Sequence, residues 1–294
     1  MPVKLRAQVR GDSRIQSPRN GPQGGESECP FSIAGKTAIV TGAANGIGLA
    51  IGRQFAEAGA NVMFADIDED GLIAELGEQI EEGNVRYFAG DLREKLTVAN
   101  LLSATVDAFE TIDILVNGAR RFAVSDPLDP EDDSVMTLMN QNLMSALRLS
   151  QQVARRMIRQ AEGREEGMAG SIINISSIAA DHTRPDLLAY SVSAAALNQM
   201  TRSLAVALAP HRIRVNAVAF GSVMSASLQA TLKENREYRA AIEAGTPLGR
   251  IGAASELADT AQFLASDASE FMTGQVLTVD GGRSLLDPVA VPAH

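Results

Sequence analysis

Tryptophan, cysteine and histidine are scarce in this sequence of 294 residues, which has no tryptophan, one cysteine (Cys29) and three histidines. A lone cysteine excludes an intrachain disulfide and a thiolate metal site, and the histidines lack metal-ligand spacing, so we expect no bound metal. Long apolar runs are also missing, since none reaches the roughly 18–20 residues that a membrane helix requires. We therefore expect no membrane contact, and a cytoplasmic location fits these features.

Basic residues are also fewer than acidic ones. The chain has 26 lysines and arginines and 36 aspartates and glutamates, which gives a net charge of −10. A nucleic-acid-binding surface needs clustered basic side chains, so we expect no nucleic-acid partner. Apolar residues make up 45% of the chain, enough for a sizeable core. The length fits one domain with a tail.

Residues 1–33 differ in composition from the rest and are rich in arginine, glycine, proline, serine and glutamine. They lack the apolar segment of a secretory signal. Their basic residues suggest an organelle-targeting peptide, but such peptides avoid acids, and Asp12, Glu26 and Glu28 argue against one. We predict a disordered tail over residues 1–33 and a single folded domain over residues 34–294.

Short apolar runs alternate with amphipathic stretches from Lys36 onward. Seven runs predict strands, and they are Thr37–Val40, Val62–Ala65, Val85–Ala89, Ile114–Val116, Ile172–Ile175, Val215–Ala219 and Val276–Val279. Most runs are continuous, as in strands that are buried on both faces of a parallel sheet. The alternation with helices predicts an α/β fold of Rossmann type, doubly wound, with a seven-stranded, mostly parallel sheet and helices on both faces.

A glycine-rich segment, Thr41–Gly48, joins the first predicted strand to the following helix. Gly42 permits a sharp turn, Gly46 lets the backbone approach a pyrophosphate, and Gly48 lets helix and strand pack closely. The helix N-terminus offers free N–H groups and partial positive charge to phosphates. The predicted cofactor-binding residues of this segment are Gly42, Ala44, Asn45, Gly46, Ile47 and Gly48.

An acidic residue, Asp66, follows the second strand, eighteen residues after Gly48. Its carboxylate could accept hydrogen bonds from the adenosine ribose hydroxyls and would repel a 2′-phosphate. No lysine or arginine lies between Gly42 and Gly48 to receive such a phosphate. We therefore predict NAD(H) rather than NADP(H). The alternative is that Asp66 only caps the next turn together with Asp68.

The glycine spacing Thr-Gly-x-x-x-Gly-x-Gly resembles that of the short-chain dehydrogenase/reductase family, and the resemblance extends from about residue 36 to 284. Tyr190 follows Ser177 by thirteen residues, the usual interval in the family. Further matching segments are Asp91-Leu92, Asn117-Gly118-Ala119-Arg120, Asn142, Gly170–Ser177, Arg214–Val218, Thr273–Gln275 and Val279–Gly282.

The resemblance implies hydride transfer between an alcohol or carbonyl and a nicotinamide, with a small-molecule substrate and a homotetramer or homodimer. Tyr190 would be the general acid/base, Ser177 would orient the substrate oxygen, and Asn142 would belong to a proton relay. Further cofactor contacts implied by the family are Asp91, Leu92, Asn117, Gly118, Ala119, Tyr190, Gly221, Val223 and Ser225. A lid would form from residues 222–248.

The chain departs from the family pattern at the lysine that normally follows the tyrosine by four residues, because Ala194 stands there. In the family this lysine lowers the pKa of the tyrosine phenol, which is ordinarily near 10, and binds the nicotinamide ribose. Gly118 and Arg120 also depart, and Phe220-Gly221 replaces the usual Pro-Gly.

Two functions stay open on this basis. One is an NAD(H)-dependent oxidoreductase that is impaired by Ala194, and the other is a non-catalytic dinucleotide- or partner-binding protein on the same fold. Arg120, His182 and Arg184 are candidate basic substitutes for the lysine, although the favoured interpretation of each is a solvated surface group. The substrate is not indicated by the residues.

Overall fold

One seven-stranded parallel sheet forms the centre of the computed structural model, which describes residues 29–77, 83–287 and 289. The strands are β1 (Thr37–Thr41), β2 (Asn61–Asp66), β3 (Val85–Ala89), β4 (Ile114–Asn117), β5 (Gly170–Ser177), β6 (Ile213–Phe220) and β7 (Val276–Val279). Their order is β3-β2-β1-β4-β5-β6-β7, and all neighbouring pairs are parallel. The predicted doubly wound α/β fold is confirmed.

Helices connect the strands and cover both faces of the sheet. The α-helices are α1 (Gly46–Glu57), α2 (Glu69–Leu76), α3 (Lys95–Phe109), α4 (Ser134–Leu138), α5 (Ser145–Gln160), α6 (Leu188–Leu208), α7 (Ala226–Glu234), α8 (Arg236–Ala244) and α9 (Ala254–Ala265). A π-helical segment, Met139–Met144, joins α4 to α5, and single 3₁₀ turns cover Ile178–Ala180, Pro185–Leu187, Ala209–His211, Asp267–Ser269 and Arg283–Leu285. Helices α1, α2 and α9 pack on one face, and α3, α5 and α6 pack on the other.

The continuous apolar runs of the strands follow from this two-sided burial. In β1, Ala38 and Val40 belong to the core beneath α1 and α9, whereas Ile39 points into the core beneath α3 and α5. In β4 the same alternation places Val116 on the first side and Leu115 on the second. Successive side chains of a strand point to opposite faces, so consecutive positions in the middle of such a strand are apolar.

The residues just before β1 pack against the domain body. The Phe31 ring lies 6.1 Å from the Phe263 ring, the Pro30 carbonyl accepts a 2.8 Å hydrogen bond from the Ala268 N–H, and Ile33 is fully buried. Residues 29–33 therefore belong to the folded body rather than to the tail assigned from the sequence. The rest of that predicted tail, residues 1–28, lies outside the described residues.

The carboxyl ends of the strands form a crevice where the strand order reverses, between β1 and β4. In open α/β sheets, ligands bind at this switch point. The loops after β1 and β4 are joined directly there, because the Gly118 and Ala119 N–H groups donate to the Thr41 hydroxyl over 3.0 and 3.1 Å. The predicted site residues lie in the loops around this crevice.

Candidate active site

The glycine loop after β1 adopts a conformation that other residues could not share. Gly42 has a φ of +68°, and a Cβ there would lie 2.7 Å from the backbone of Gly118 and Ala119. A Cβ on Gly48 would overlap the carbonyl oxygen of Gly42. Helix α1 then begins at Gly46 with no side-chain cap and no acidic residue in its first turn. Its N-terminal N–H groups can therefore receive an anion.

Asp66, at the end of β2, connects the glycine loop to the next turn. Its carboxylate accepts from the Ala44 N–H at 3.0 Å, and from the N–H groups of Ile67 and Asp68 at 2.7 and 3.1 Å. Asp68 caps α2 through the Gly71 N–H at 3.0 Å. Asp66 and Asp68 thus both stabilise this turn, which was the alternative interpretation of Asp66 from the sequence. A carboxylate has about four acceptor sites, which leaves capacity for a ribose hydroxyl.

Asp91 and Leu92 follow β3 at the same edge of the sheet, and Leu92 is buried. The Asp91 carboxylate is held by Arg93, whose Nε and Nη2 donate over 2.9 and 2.5 Å. This pairing, led by the side-chain hydrogen bonds, lowers the pKa of Asp91. The carboxylate is therefore engaged within the protein, and the Leu92 side chain is part of the core.

Asn117 is the last residue of β4 and Gly118 follows it, and the two residues have different structural roles. The Asn117 amide donates to the Ser150 hydroxyl at 3.0 Å and to the Asn174 side chain at 2.8 Å, inside the protein. This network ties β4 to β5 and α5, so the Asn117 side chain holds the scaffold. At Gly118, a Cβ would lie 2.5 Å from the Thr41 carbonyl oxygen. In this chain the backbone of Gly118 therefore lies too close to β1 for a side chain, at a position where the family usually has asparagine.

Ser177 and Tyr190 line one small cavity at the crevice, with a volume of about 20 Å³. Ser177 is the last residue of β5, and its hydroxyl accepts a 3.1 Å hydrogen bond from the Ala179 N–H. Tyr190 lies in the first turn of α6. The cavity has room for about one water molecule. Its other lining residues are Asn117, Ala119, Arg120, Asn142, Ile175, Ser176, Ser193, Ala194 and Leu197.

Asn142 lies in the π-helical segment Met139–Met144, where the helix departs from regular α geometry. Its side-chain oxygen accepts from the Arg121 N–H at 2.8 Å, while its amide donates to the Arg121 carbonyl at 3.0 Å and to the Ser193 hydroxyl at 3.2 Å. Such π segments are frequent at functional sites. Asn142 therefore joins the loop after β4 to the helix that carries Tyr190.

Ala194 lines the same cavity one helical turn after Tyr190. The cation nearest the tyrosine comes instead from the loop after β4, where Arg120 Nη1 donates to the Tyr190 hydroxyl over 2.9 Å. The same guanidinium carbon lies 4.0 Å from the centre of the Phe220 ring. Phe122 packs edge-on against the Tyr190 ring at 5.3 Å. Arg120 is exposed as the surface interpretation expected, but its guanidinium also lines the cavity and contacts Tyr190, which that interpretation did not include.

The other candidate basic residues remain at the surface. Arg184 is exposed and pairs with Asp186 at 3.0 Å. His182 is exposed, and it helps to lower the pKa of Asp280, although backbone and side-chain hydrogen bonds from Ser284 contribute more. Neither residue lines the cavity beside Tyr190.

The opposite wall of the crevice follows β6. Gly221 approaches Asp280 so closely that a Cβ would lie 2.9 Å from the Asp280 Cβ. Val223 is buried and forms an isolated parallel bridge with Gly252. Ser225 caps α7 by accepting from the Leu228 N–H at 3.2 Å, and a Cβ on Gly46 would lie 3.7 Å from the Ser225 Cβ. Ser225 therefore faces the glycine loop across the crevice.

Comparison with known proteins decides the family. The family model described as "Enoyl-(Acyl carrier protein) reductase", a short-chain dehydrogenase/reductase model, matches residues 42–284. The chain belongs to the short-chain dehydrogenase/reductase family. The match covers the glycine loop, the crevice and the cavity beside Tyr190, so the resemblance identified from the sequence is confirmed.

Several members of the short-chain dehydrogenase/reductase family cover nearly the same length. The L-rhamnose 1-dehydrogenase (NAD(P)(+)) of Sphingomonas sp. (strain SKA58) is 35% identical over 85% of this chain and 96% of its own. The 3-oxoacyl-[acyl-carrier-protein] reductase FabG of Thermotoga maritima is 34% identical over 85% of this chain and 98% of its own. A solved short-chain type dehydrogenase/reductase from Mycobacterium ulcerans has a TM-score of 0.78 at 30% identity, covering 86% of this chain and 91% of that one.

The departures from the short-chain dehydrogenase/reductase pattern are close together in space. Arg120, Tyr190 and Ala194 line one cavity, and Phe220 lies against Arg120. The sequence alone did not bring Arg120 and Phe220 together, since these two positions are 100 residues apart. The available signal was that Arg120 and Phe220 both lie at the carboxyl ends of predicted strands. These ends meet at one edge of a parallel sheet.

Proposed function

We propose that this protein is an NAD(H)-dependent oxidoreductase that interconverts an alcohol and a carbonyl on a small molecule. The observation that carries the proposal is the placement of the Ser177 and Tyr190 hydroxyls in one cavity at the crevice, beside the glycine loop. Membership of the family and the dehydrogenase and reductase names of its relatives support oxidoreductase chemistry. The cytosol stays the expected compartment.

The described residues fit a bound dinucleotide. The glycine loop leaves backbone exposed where a side chain would fill the space, and the uncapped start of α1 suits a pyrophosphate. Asp66 retains acceptor capacity for a ribose hydroxyl, and Ser225 faces the loop from across the crevice. When bound, the nicotinamide would supply or accept the hydride.

The protein's own residues would handle the substrate oxygen and its proton. Ser177 and Tyr190 would both hydrogen-bond this oxygen, which fixes the reacting carbon in position. During oxidation the Tyr190 oxygen would take the hydroxyl proton, and during reduction it would return that proton. Asn142 would keep the loop after β4 and the start of α6 in register through Arg121 and Ser193.

The function is tested by measuring NADH binding through nucleotide fluorescence, followed by turnover on sugars, hydroxy acids, secondary alcohols and acyl thioesters. We expect binding, and turnover of at least one class. Binding without turnover of any class would favour the second candidate, a non-catalytic dinucleotide- or partner-binding protein. Ala194 is the observation that favours this candidate, because alanine provides no ammonium beside Tyr190.

The cofactor preference depends on Asp66. We expect the unmodified protein to bind NADH more tightly than NADPH, because the carboxylate would repel a 2′-phosphate. Asp66→Ala should narrow the preference for NADH over NADPH by at least roughly tenfold, since like charges placed together cost several kcal/mol. Asp70→Ala is the matched control, because this exposed acid in the first turn of α2 makes the same charge change. Tighter binding of NADPH by the unmodified protein contradicts the assignment.

We also propose a homotetramer or homodimer. In the described part of the chain β7 pairs only with β6, so its other edge is open, and Val206, Phe271 and Leu285 are exposed apolar side chains. The outward face of α5 carries the exposed polar side chains Gln151 and Arg155. Light scattering at micromolar concentration should give a multiple of 31.0 kDa, and a monomer would contradict the proposal.

A further inference from the structure

We propose that Arg120 supplies the positive charge that activates Tyr190, in place of a lysine at position 194, and that Phe220 positions its guanidinium. The inference rests on the proposed oxidoreductase function, because it assigns a role to a residue of the same site. It would make Arg120 a catalytic residue, since it contacts the reacting oxygen of Tyr190, and Phe220 a positioning residue.

The first step is the direct contact between the two groups. Arg120 Nη1 donates to the Tyr190 hydroxyl over 2.9 Å, a normal hydrogen-bond length. A cation at this distance stabilises the ionised form of a phenol, because an opposite charge within about 4–6 Å favours the charged state. Arg120 therefore places a positive charge beside the tyrosine phenol, as the lysine of the family does.

The second step is that the guanidinium is held in place. Its carbon lies 4.0 Å from the centre of the Phe220 ring, within the distance of a cation–π interaction. Phe220 is 92% buried at the end of β6, directly opposite Ser177 in the strand register. The sheet thus fixes the ring beside the catalytic serine. Proline, the family's usual residue here, has no aromatic face for a guanidinium.

The third step concerns the other charges around Tyr190. Among the residues that line the cavity, Arg120 and Tyr190 are the ionisable ones. Phe122 packs on the Tyr190 ring, and the apolar cluster that contains Tyr190 also includes Ala123, Val135, Leu138 and Ala179. No ion pair of Arg120 with a carboxylate is recorded among the described residues. Its guanidinium therefore donates to the phenol without a competing carboxylate partner in the described part of the chain.

The protonation state of Arg120 supports this role. Desolvation by the surrounding protein lowers the pKa of Arg120, and the interaction with Tyr190 acts in the opposite direction. A guanidinium is so strongly basic that it stays charged in proteins despite this lowering of its pKa. Arg120 would thus stabilise the phenolate without exchanging a proton, and the proton taken by Tyr190 comes from the substrate hydroxyl.

A direct test is the near-ultraviolet absorbance of ionised tyrosine. The chain has three tyrosines and no tryptophan, so no indole absorbance overlaps this signal. Subtracting the titration of Tyr190→Phe isolates the ionisation of Tyr190. We expect Arg120→Met to move its midpoint upward by about one to three pH units, and Arg120→Lys to move it less. Adding Ala194→Lys to Arg120→Met should move the midpoint back down. Phe220→Leu should give an intermediate shift.

The pH dependence of the oxidation rate should shift in the same direction as the Tyr190 midpoint. The ionised phenol is the form that accepts the substrate proton, so the loss of Arg120 should move the rise of oxidation rate to higher pH and lower the rate at neutral pH by about tenfold to a thousandfold. Arg120→Lys should retain most of the rate. Arg53→Met is the matched control, because it removes one arginine from an exposed pair with Glu75 and should leave both readouts unchanged.

The outcomes separate this inference from the proposed function. An unchanged midpoint in a folded Arg120→Met variant overturns the role of Arg120, and so does a variant that oxidises faster than its parent. If Arg120→Met does not fold, the Arg120→Lys titration decides. Lysine keeps the positive charge, so the Tyr190 midpoint should move little. An upward shift of about one to three pH units, the size expected for loss of the charge, would contradict a purely electrostatic role. If the unmodified protein turns over no substrate, the proposed function fails, but the titration still decides whether Arg120 acts on Tyr190.

Discussion

Replacing Tyr190 by phenylalanine should lower turnover in both directions by about a hundredfold to ten-thousandfold, the usual contribution of general acid–base catalysis. The variant keeps the ring, so its packing against Phe122 and the core around Leu138 should be preserved. It removes the hydroxyl that receives the Arg120 hydrogen bond. The measurement is the steady-state rate at saturating cofactor, with NADH affinity determined separately.

The control for this variant is Tyr87→Phe, which removes a phenolic hydroxyl from β3, outside the crevice. We expect its turnover to match the parent. If Tyr190→Phe kept full activity while binding substrate normally, another group would transfer the proton, and the assignment of Tyr190 would be lost. If it lost activity together with NADH affinity and thermal stability, the effect would be structural rather than catalytic.

Gly48→Ala should have the largest effect on the fold and on cofactor binding. Its Cβ would overlap the Gly42 carbonyl oxygen, which belongs to the backbone and cannot rotate away. Helix α1 must then move from β1, at a cost of about 1–3 kcal/mol or more in the free energy of unfolding. The same movement would disturb the phosphate cradle. We expect a lower Tm and loss of measurable NADH binding.

A matched control for this prediction is Gly77→Ala. Gly77 has a φ of +53°, so alanine is strained there, but no other atom lies within 4 Å of the added Cβ. Its cost should be limited to the backbone strain of a positive φ at a residue with a side chain, about 1–3 kcal/mol, with NADH binding intact. A Gly48→Ala protein that melted with its parent and bound NADH would show that the close packing of helix and strand is unnecessary.

Local sequence patterns were sufficient to predict the architecture and the glycine loop. Each strand appears as a continuous apolar run because both faces of the sheet are covered, and that pattern depends only on neighbours along the chain. The turn at Gly42 and the close packing at Gly48 need glycine at fixed spacing, again a local requirement. The pairing of Ser177 with Tyr190 came from the family interval, and the structure places both in one cavity.

The tail boundary shows where composition alone misled. Phe31 and Ile33 lie among polar and glycine-rich residues, and a compositional rule grouped them with the tail. Their partners are on α9, more than 200 residues later, as in the contact between Phe31 and Phe263. Burial at that distance is decided by the packing of the whole domain.

Only the tertiary structure decided how the chain could compensate for Ala194. Arg120 and Tyr190 are 70 residues apart, and Phe220 is a further 30 along the chain, so no local spacing relates them. The parallel sheet brings the ends of β4, β5 and β6 to one edge, and its register sets Phe220 opposite Ser177. The sequence by itself determined the fold, the phosphate loop and the missing lysine. Which cation faces the phenol depended on three loops meeting at that edge, because charge acts through space over a few ångströms and not along the chain.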